Sequence, residues 1–220
     1  GLSLPDLPVS VKPWAARWGE GPEVLEIWGE ATSKRVSDSL KRWLSARILT
    51  GAETEVSLLS VADSLFQFTA RATAPESITV EKSLKVQVSE RPAAAVPKAR
   101  LVELSNHPER IVSDGILFSR SVSDVPFRFM WHHRNDPQGP ERYLVVQLTN
   151  TSPKPRRMRM LWYGYGPSPD EIHVGHTAAL DYSAAGAGGL GEEILLPAQG
   201  TRVLEMRRVK PGQTVSGMAY

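Results

Sequence analysis

The chain has 220 residues, 41% of them hydrophobic, a formal net charge of +2 and no cysteine. That length suits one or two domains, and the apolar content is that of a chain able to close a core. The mild charge argues against nucleic acid as a partner, the absence of cysteine excludes disulfides and thiolate metal sites, and no run of about 18 apolar residues exists to cross a membrane.

Residues 1–22 carry Pro5, Pro8, Pro13 and Pro22, which favours an extended arm over a packed element. Gly1 stands where an initiator Met would be, so a processed or excised piece is expected. Trp14 and Trp18 are four apart, the spacing of one helical face. They either pin the arm to a core or form a stacking platform for sugars. Val24–Trp28 reads as a short strand. Val36, Leu40, Trp43, Leu44 and Ile48 then recur at helical spacing, with Thr32, Ser33 and Ser37 as candidate N-caps and Gly51 as the stop. Strands are predicted over 55–59 and 64–70 around a turn at 61–63. The alternation of Ile78, Val80, Leu84, Val86 and Val88 predicts a further one. Residues 23–90 thus read as a small α+β domain. The proline-bracketed, aperiodic stretch 91–99 reads as a linker.

Residues 100–220 read as an antiparallel β-sandwich with a helical insertion, which makes the chain α+β to mainly β. Strands are predicted over 115–119 and 126–131. In the second, Phe127, Phe129 and Trp131 share one face and Arg128, Met130 and His132 the other. Tyr143–Asn150 and Arg156–Trp162 read as facing strands joined by a proline-locked turn. Leu144, Val146 and Leu148 point inward from one, Met158, Met160 and Trp162 from the other, and Arg157 and Arg159 point out. Asn150 suits an Asx-turn ahead of Pro153 as well as a glycan acceptor. Ser168-Pro-Asp-Glu171 reads as a capping box with Ser168 at the N-cap, predicting a helix over about 169–185. Gly186–Gly191 contains a literal GxGxxG without the βαβ surroundings of a dinucleotide fold, so a glycine loop is expected. Strands at 193–196, 201–206 and 213–216, with turns at 197–200 and 210–212, complete the set. The strand-like end at Thr214–Tyr220 leaves room for the natural protein to continue.

On the inserted helix His173 and His176 would be i, i+3 neighbours, a spacing that can hold one divalent metal, with Asp170 as a further ligand. Glu171 and His132 are nearby candidates for binding or for a general base. The same histidines also read as ordinary surface or packing residues. His132 and His133 are consecutive on a strand, point to opposite faces and cannot easily serve one ion. Arg157 and Arg159, clustered with Lys154 and Arg156, are candidate binding residues for an acidic surface, or a charge-protected sheet face. There is no GxSxG elbow and no HExxH.

The expected function is therefore a non-catalytic, extracytoplasmic module (periplasmic, cell-surface or secreted) that binds or scaffolds within a larger protein. Its partner would be a protein or polysaccharide, and no cofactor is required. A metal-binding or hydrolytic domain using the helix histidines is one alternative. A carbohydrate-binding module exposing Trp14, Trp18 or Trp131 is another. The generic pattern looks like the accessory β-sandwich modules of exported bacterial proteins, an analogy of fold class alone.

Overall fold

The computed structural model describes residues 14–19, 21–22, 24–45, 47–48, 52–122 and 125–220. Residues 1–13 of the expected arm, and the stop expected at Gly51, lie outside the described residues. The chain is mainly β, with mixed sheets and, among the described residues, two helices.

In the first half, β1 (Val24–Trp28) runs parallel to β4 (Val80–Arg91), while β2 (Glu53–Ala62), β3 (Leu65–Thr73) and β4 pair antiparallel in turn. Asp63 makes the β2–β3 turn at φ 53°, a region that short polar side chains tolerate. Leu84, Val86 and Val88 alternate inward as predicted. They meet α1 (Ser33–Ser45), whose Val36, Leu40 and Leu44 are fully buried. Thr32 caps α1, its Oγ1 accepting from Arg35 N at 3.4 Å. The helix ends short of Ile48, which instead bridges Ala16. Trp14 and Trp18 lie on extended chain and share no helical face. Trp14 bridges Ile78 and is 59% exposed, whereas Trp18 is buried and donates from Nε1 to the Leu44 carbonyl at 3.2 Å.

The second half contains β5 (Leu101–Ser105), β6 (Arg110–Ile111), β7 (Phe127–Asn135), β8 (Arg142–Thr149), β9 (Arg156–Met160) and β10 (Trp162–Ser168). Then come α2 (Glu171–Ala187), β11 (Gly191–Leu196), β12 (Thr201–Val209) and β13 (Thr214–Ala219). One sheet has the order β10-β13-β7-β5, with β6 also on β7, and β12 pairs with β8. β9 and β11 join the first half in a six-stranded sheet of order β2-β3-β4-β1-β11-β9. Trp131, Leu144, Val146, Met160, Trp162 and Ile194 bring strands of all three sheets into one core, separate from the core under α1. The ring of Trp131 lies so close to Gly217 that a Cβ there would sit 2.0 Å from its Cζ2, so only glycine fits.

Two expectations are corrected. Residues 115–119 form no strand, and Ile116 is 86% exposed, because β5 occupies the edge of β7 that those residues would need. β5 and β6 run parallel to β7, so this part is not wholly antiparallel.

The inward faces of β8 and β9 are as predicted, but the expected strand Arg156–Trp162 breaks at Leu161, so that Trp162 opens β10 in another sheet, and Arg159 is half-buried. Asn150 holds the corner between β8 and β9. Its Nδ2 donates to the carbonyls of Lys154 at 2.9 Å, Pro197 at 2.8 Å and Leu196 at 3.4 Å, and its Oδ1 accepts from Ser152 N at 3.0 Å. This is the Asx-turn reading, and the buried amide has no room for a glycan. α2 packs on β10 and β13, with Tyr182 and Ala185 against Leu161.

Candidate functional site

The two halves of the chain meet where β1 lies beside β11. Their antiparallel pairing is short: Ile27 with Glu192, and Trp28 with Gly191. One step further, the register would set Glu26 opposite Glu193, and like charges directly across a ladder disfavour pairing. The ladder ends there. Beyond it, among the described residues, Val24–Glu26 pair only with β4 and Ile194–Leu196 only with β9. Two strand edges thus diverge. Arg157 stitches the point of the wedge, its Nη1 lying 3.4 Å from Glu26 Oε2 and 2.8 Å from Glu193 Oε1.

A cavity of about 360 Å³ opens in this wedge. Leu25, Ile27, Ile194, Pro22 and the ring of Trp43 supply its apolar wall, and Ser39 of α1 and Arg202 of β12 bring polar groups to it. The volume is in the range of small-ligand sites. Arg47 covers one face of Trp43, its guanidinium 3.7 Å from the ring centroid.

The crevice carboxylates are already partnered. Glu192 accepts from Arg42 at 2.9 Å and 2.5 Å, and Arg42 in turn stacks over Trp162 at 4.5 Å. Glu26 accepts from Arg91 at 2.5 Å, and that guanidinium holds its carboxyl below the ordinary value. Glu193 is held by Arg157.

Arg202 differs. It is half-buried, lines the cavity, still reaches solvent, and makes no hydrogen bond or ion pair among the described residues. Burial pushes its pKa down, Glu192 opposes that shift and Arg42 adds to it. An arginine stays charged through such a shift. A guanidinium at a cavity wall with its donors unused within the chain is suited to a carboxylate or a similar planar anion.

The predicted site residues are placed as follows. Asp170, not Ser168, is the N-cap of α2, its Oδ1 accepting from His173 N at 2.9 Å. Ser168 is still part of β10, paired with Thr214, which moves the helix start two residues on. Glu171 pairs with Arg134 at 3.3 Å. His173 is exposed and meets Tyr165, Nε2 to hydroxyl at 3.2 Å. His176 is exposed, and half-buried His132 lies beside Gly175. Among the described residues no three His, Asp or Glu side chains come together as a metal-ligand group. Arg159 is spent within the chain: its Nη2 donates to the carbonyls of Ala94 at 2.9 Å, Gly189 at 2.6 Å and Leu190 at 2.9 Å, and it stacks over Trp28 at 4.6 Å. It fastens residue 94 of the expected linker to the glycine loop. Gly189, at φ +63°, allows that approach, since a Cβ would meet Ala94 O at 2.6 Å. Arg157 alone of the predicted set lines the crevice. Of the tryptophans offered for sugar stacking, Trp18 and Trp131 are buried.

A second arrangement was not foreseen from the sequence. His133 is 1% exposed, with Nδ1 2.9 Å from the Pro108 carbonyl and Nε2 2.8 Å from Ser105 Oγ. A carbonyl only accepts, so Nδ1 carries the proton and Nε2 accepts from the serine. That is the polarity of a serine–base pair. Ser105 is itself buried and lines no described cavity, so the pair's evident work is to tie the β5–β6 turn to β7. Burial pushes the His133 pKa down, with the Pro108 bond opposing.

No family model, curated protein or solved structure matches the chain.

Proposed function

We propose that this chain is a non-catalytic binding or scaffolding module and that the β1–β11 crevice is its contact site. The observation that carries this is Arg202, a half-buried guanidinium at the wall of a cavity with no hydrogen-bond acceptor among the described residues. A guanidinium whose donors are not used within the chain is available to a ligand that supplies an acceptor.

The proposal includes an architecture. The second half is read as a β-sandwich with α2 laid on its outside, and the first as a small α+β unit with its own core. The crevice lies at the seam, because β1 belongs to one and β11 to the other. A ligand there bears on both units, as a module passing contacts between neighbours requires. A location outside the cytoplasm is part of the proposal, by analogy of fold class with the accessory β-sandwich modules of exported proteins.

The test is a screen by nuclear magnetic resonance with a mixed library of small organic anions, sugars and short peptides, reading the Trp43 indole and the Ile27 and Ile194 methyl groups. Saturable shifts gathered on these three reporters support the crevice as the site. Absence of any such shift with the whole library at millimolar concentration would remove it.

A further inference from the structure

We infer that the occupant of the crevice is the C-terminal end of an extended peptide, its terminal carboxylate on Arg202 and its backbone in the wedge between β1 and β11. This rests on the crevice being the contact site. It goes further, because two features of different chemistry there ask for one kind of ligand.

The first is backbone. The β1–β11 ladder stops after Ile27–Glu192, and the segments Val24–Glu26 and Ile194–Leu196 face the gap without a strand partner across it, among the described residues. A strand edge offers alternating N–H and C=O groups that another extended chain satisfies best, which is how peptides add to sheets. A sugar or a compact organic anion leaves most of that row unmatched.

The second is charge. Glu26, Glu192 and Glu193 are each already held by an arginine, so they do not invite a cation. Arg202, which feels the charge of Glu192 but makes no hydrogen bond or ion pair among the described residues, leaves its donors open at the cavity wall. A terminal carboxylate matches the guanidinium fork with two parallel hydrogen bonds, whereas an amidated end offers one weaker acceptor. The remaining walls, Leu25, Ile27, Ile194 and Trp43, take an apolar side chain near the end of the peptide. A cavity of about 360 Å³ holds the last few residues only, not a whole protein face.

The experiment uses a degenerate hexapeptide library made twice, once with free C-terminal carboxylates and once C-terminally amidated. Each is titrated into the wild-type chain and into the Arg202→Gln and Arg202→Lys variants, with the Trp43 and Ile194 signals as reporters and a thermal melt confirming that each variant is folded. The expected result is saturable shifts with the free-acid library, a tenfold or greater loss on amidation, loss in Arg202→Gln, and partial retention in Arg202→Lys. Equal shifts from the amidated library would overturn the inference. So would shifts produced only by propionate, benzoate or sugars, although these would leave the crevice standing as a contact site. No shift from any probe removes both.

Discussion

Glu26 of β1 and Glu193 of β11 stand at the first position where the two strands no longer pair, and their carboxylates share the Arg157 guanidinium at 3.4 Å and 2.8 Å. Replacing both glutamates with threonine removes the repulsion and lets the ladder run on. The backbone amides at positions 26 and 193, which face each other across the gap, should then exchange with solvent more slowly. Arg157→Ala leaves the repulsion unscreened, and the Trp28 and Gly191 amides should exchange faster. Native-state hydrogen exchange checks both. Unchanged exchange in both variants would mean that the wedge is set elsewhere.

Asn150 ties four chain positions together at the corner of β8 and β9. Asn150→Ala removes the buried amide that joins residues 152, 154, 196 and 197 at the corner, a loss on the order of 2–4 kcal/mol in chemical denaturation. Asn150→Asp should lose a similar amount, because a carboxylate cannot donate.

Gly189 should not accept alanine. The left-handed φ of +63° and the approach of Ala94 to 2.6 Å both oppose a Cβ, so Gly189→Ala should cost about 1–3 kcal/mol. It should also expose residues 92–98 to proteolysis, since Arg159 can no longer draw Ala94 and the glycine loop together. Cleavage in that stretch at the wild-type rate contradicts this.

His133 links stability to pH. Burial lowers its folded pKa below the ordinary 6.5, so the unfolded chain takes up the proton first. The stabilisation is complete above pH 6.5 and is lost as pH falls through the folded value. Denaturant midpoints should therefore drop on acidification from neutral pH, and the slope should be shallower in His133→Gln. Identical slopes in the two proteins would show that other groups set the acid limit.

Much of the fold was legible because it rests on local pattern. The alternation of Leu84, Val86 and Val88, the helical spacing of Val36, Leu40 and Leu44, and the opposed faces of β8 and β9 all follow from period 2 or period 3.6. What was not legible depends on competition for partners. Residues 115–119 carry a strand-like apolar pattern, yet the sheet edge beside β7 goes to Leu101–Ser105. Ser168 has the composition of an N-cap, yet it is held in β10 by pairing with Thr214, and Asp170 takes the role. The crevice was invisible for the same reason. It forms between β1 and β11, far apart in sequence, and Arg202 sits in a strand whose local pattern carries no sign that its partner is missing. Arg157, named on charge clustering alone, is at the crevice, while Arg159 two residues on is consumed by backbone carbonyls.

The most direct measurement is the melting temperature of Arg202→Met beside wild type, each with and without the free-acid hexapeptide library. Methionine keeps the aliphatic stem and removes the unpaired charge. Without peptide the variant should be more stable by about 1 kcal/mol, a rise of roughly 2–4 °C for a chain of this length. Peptide should raise the wild-type melting temperature and leave the variant unmoved. A variant that melts lower than wild type, and gains as much from peptide, would contradict the account, because Arg202 would then be a structural residue and not a binding one.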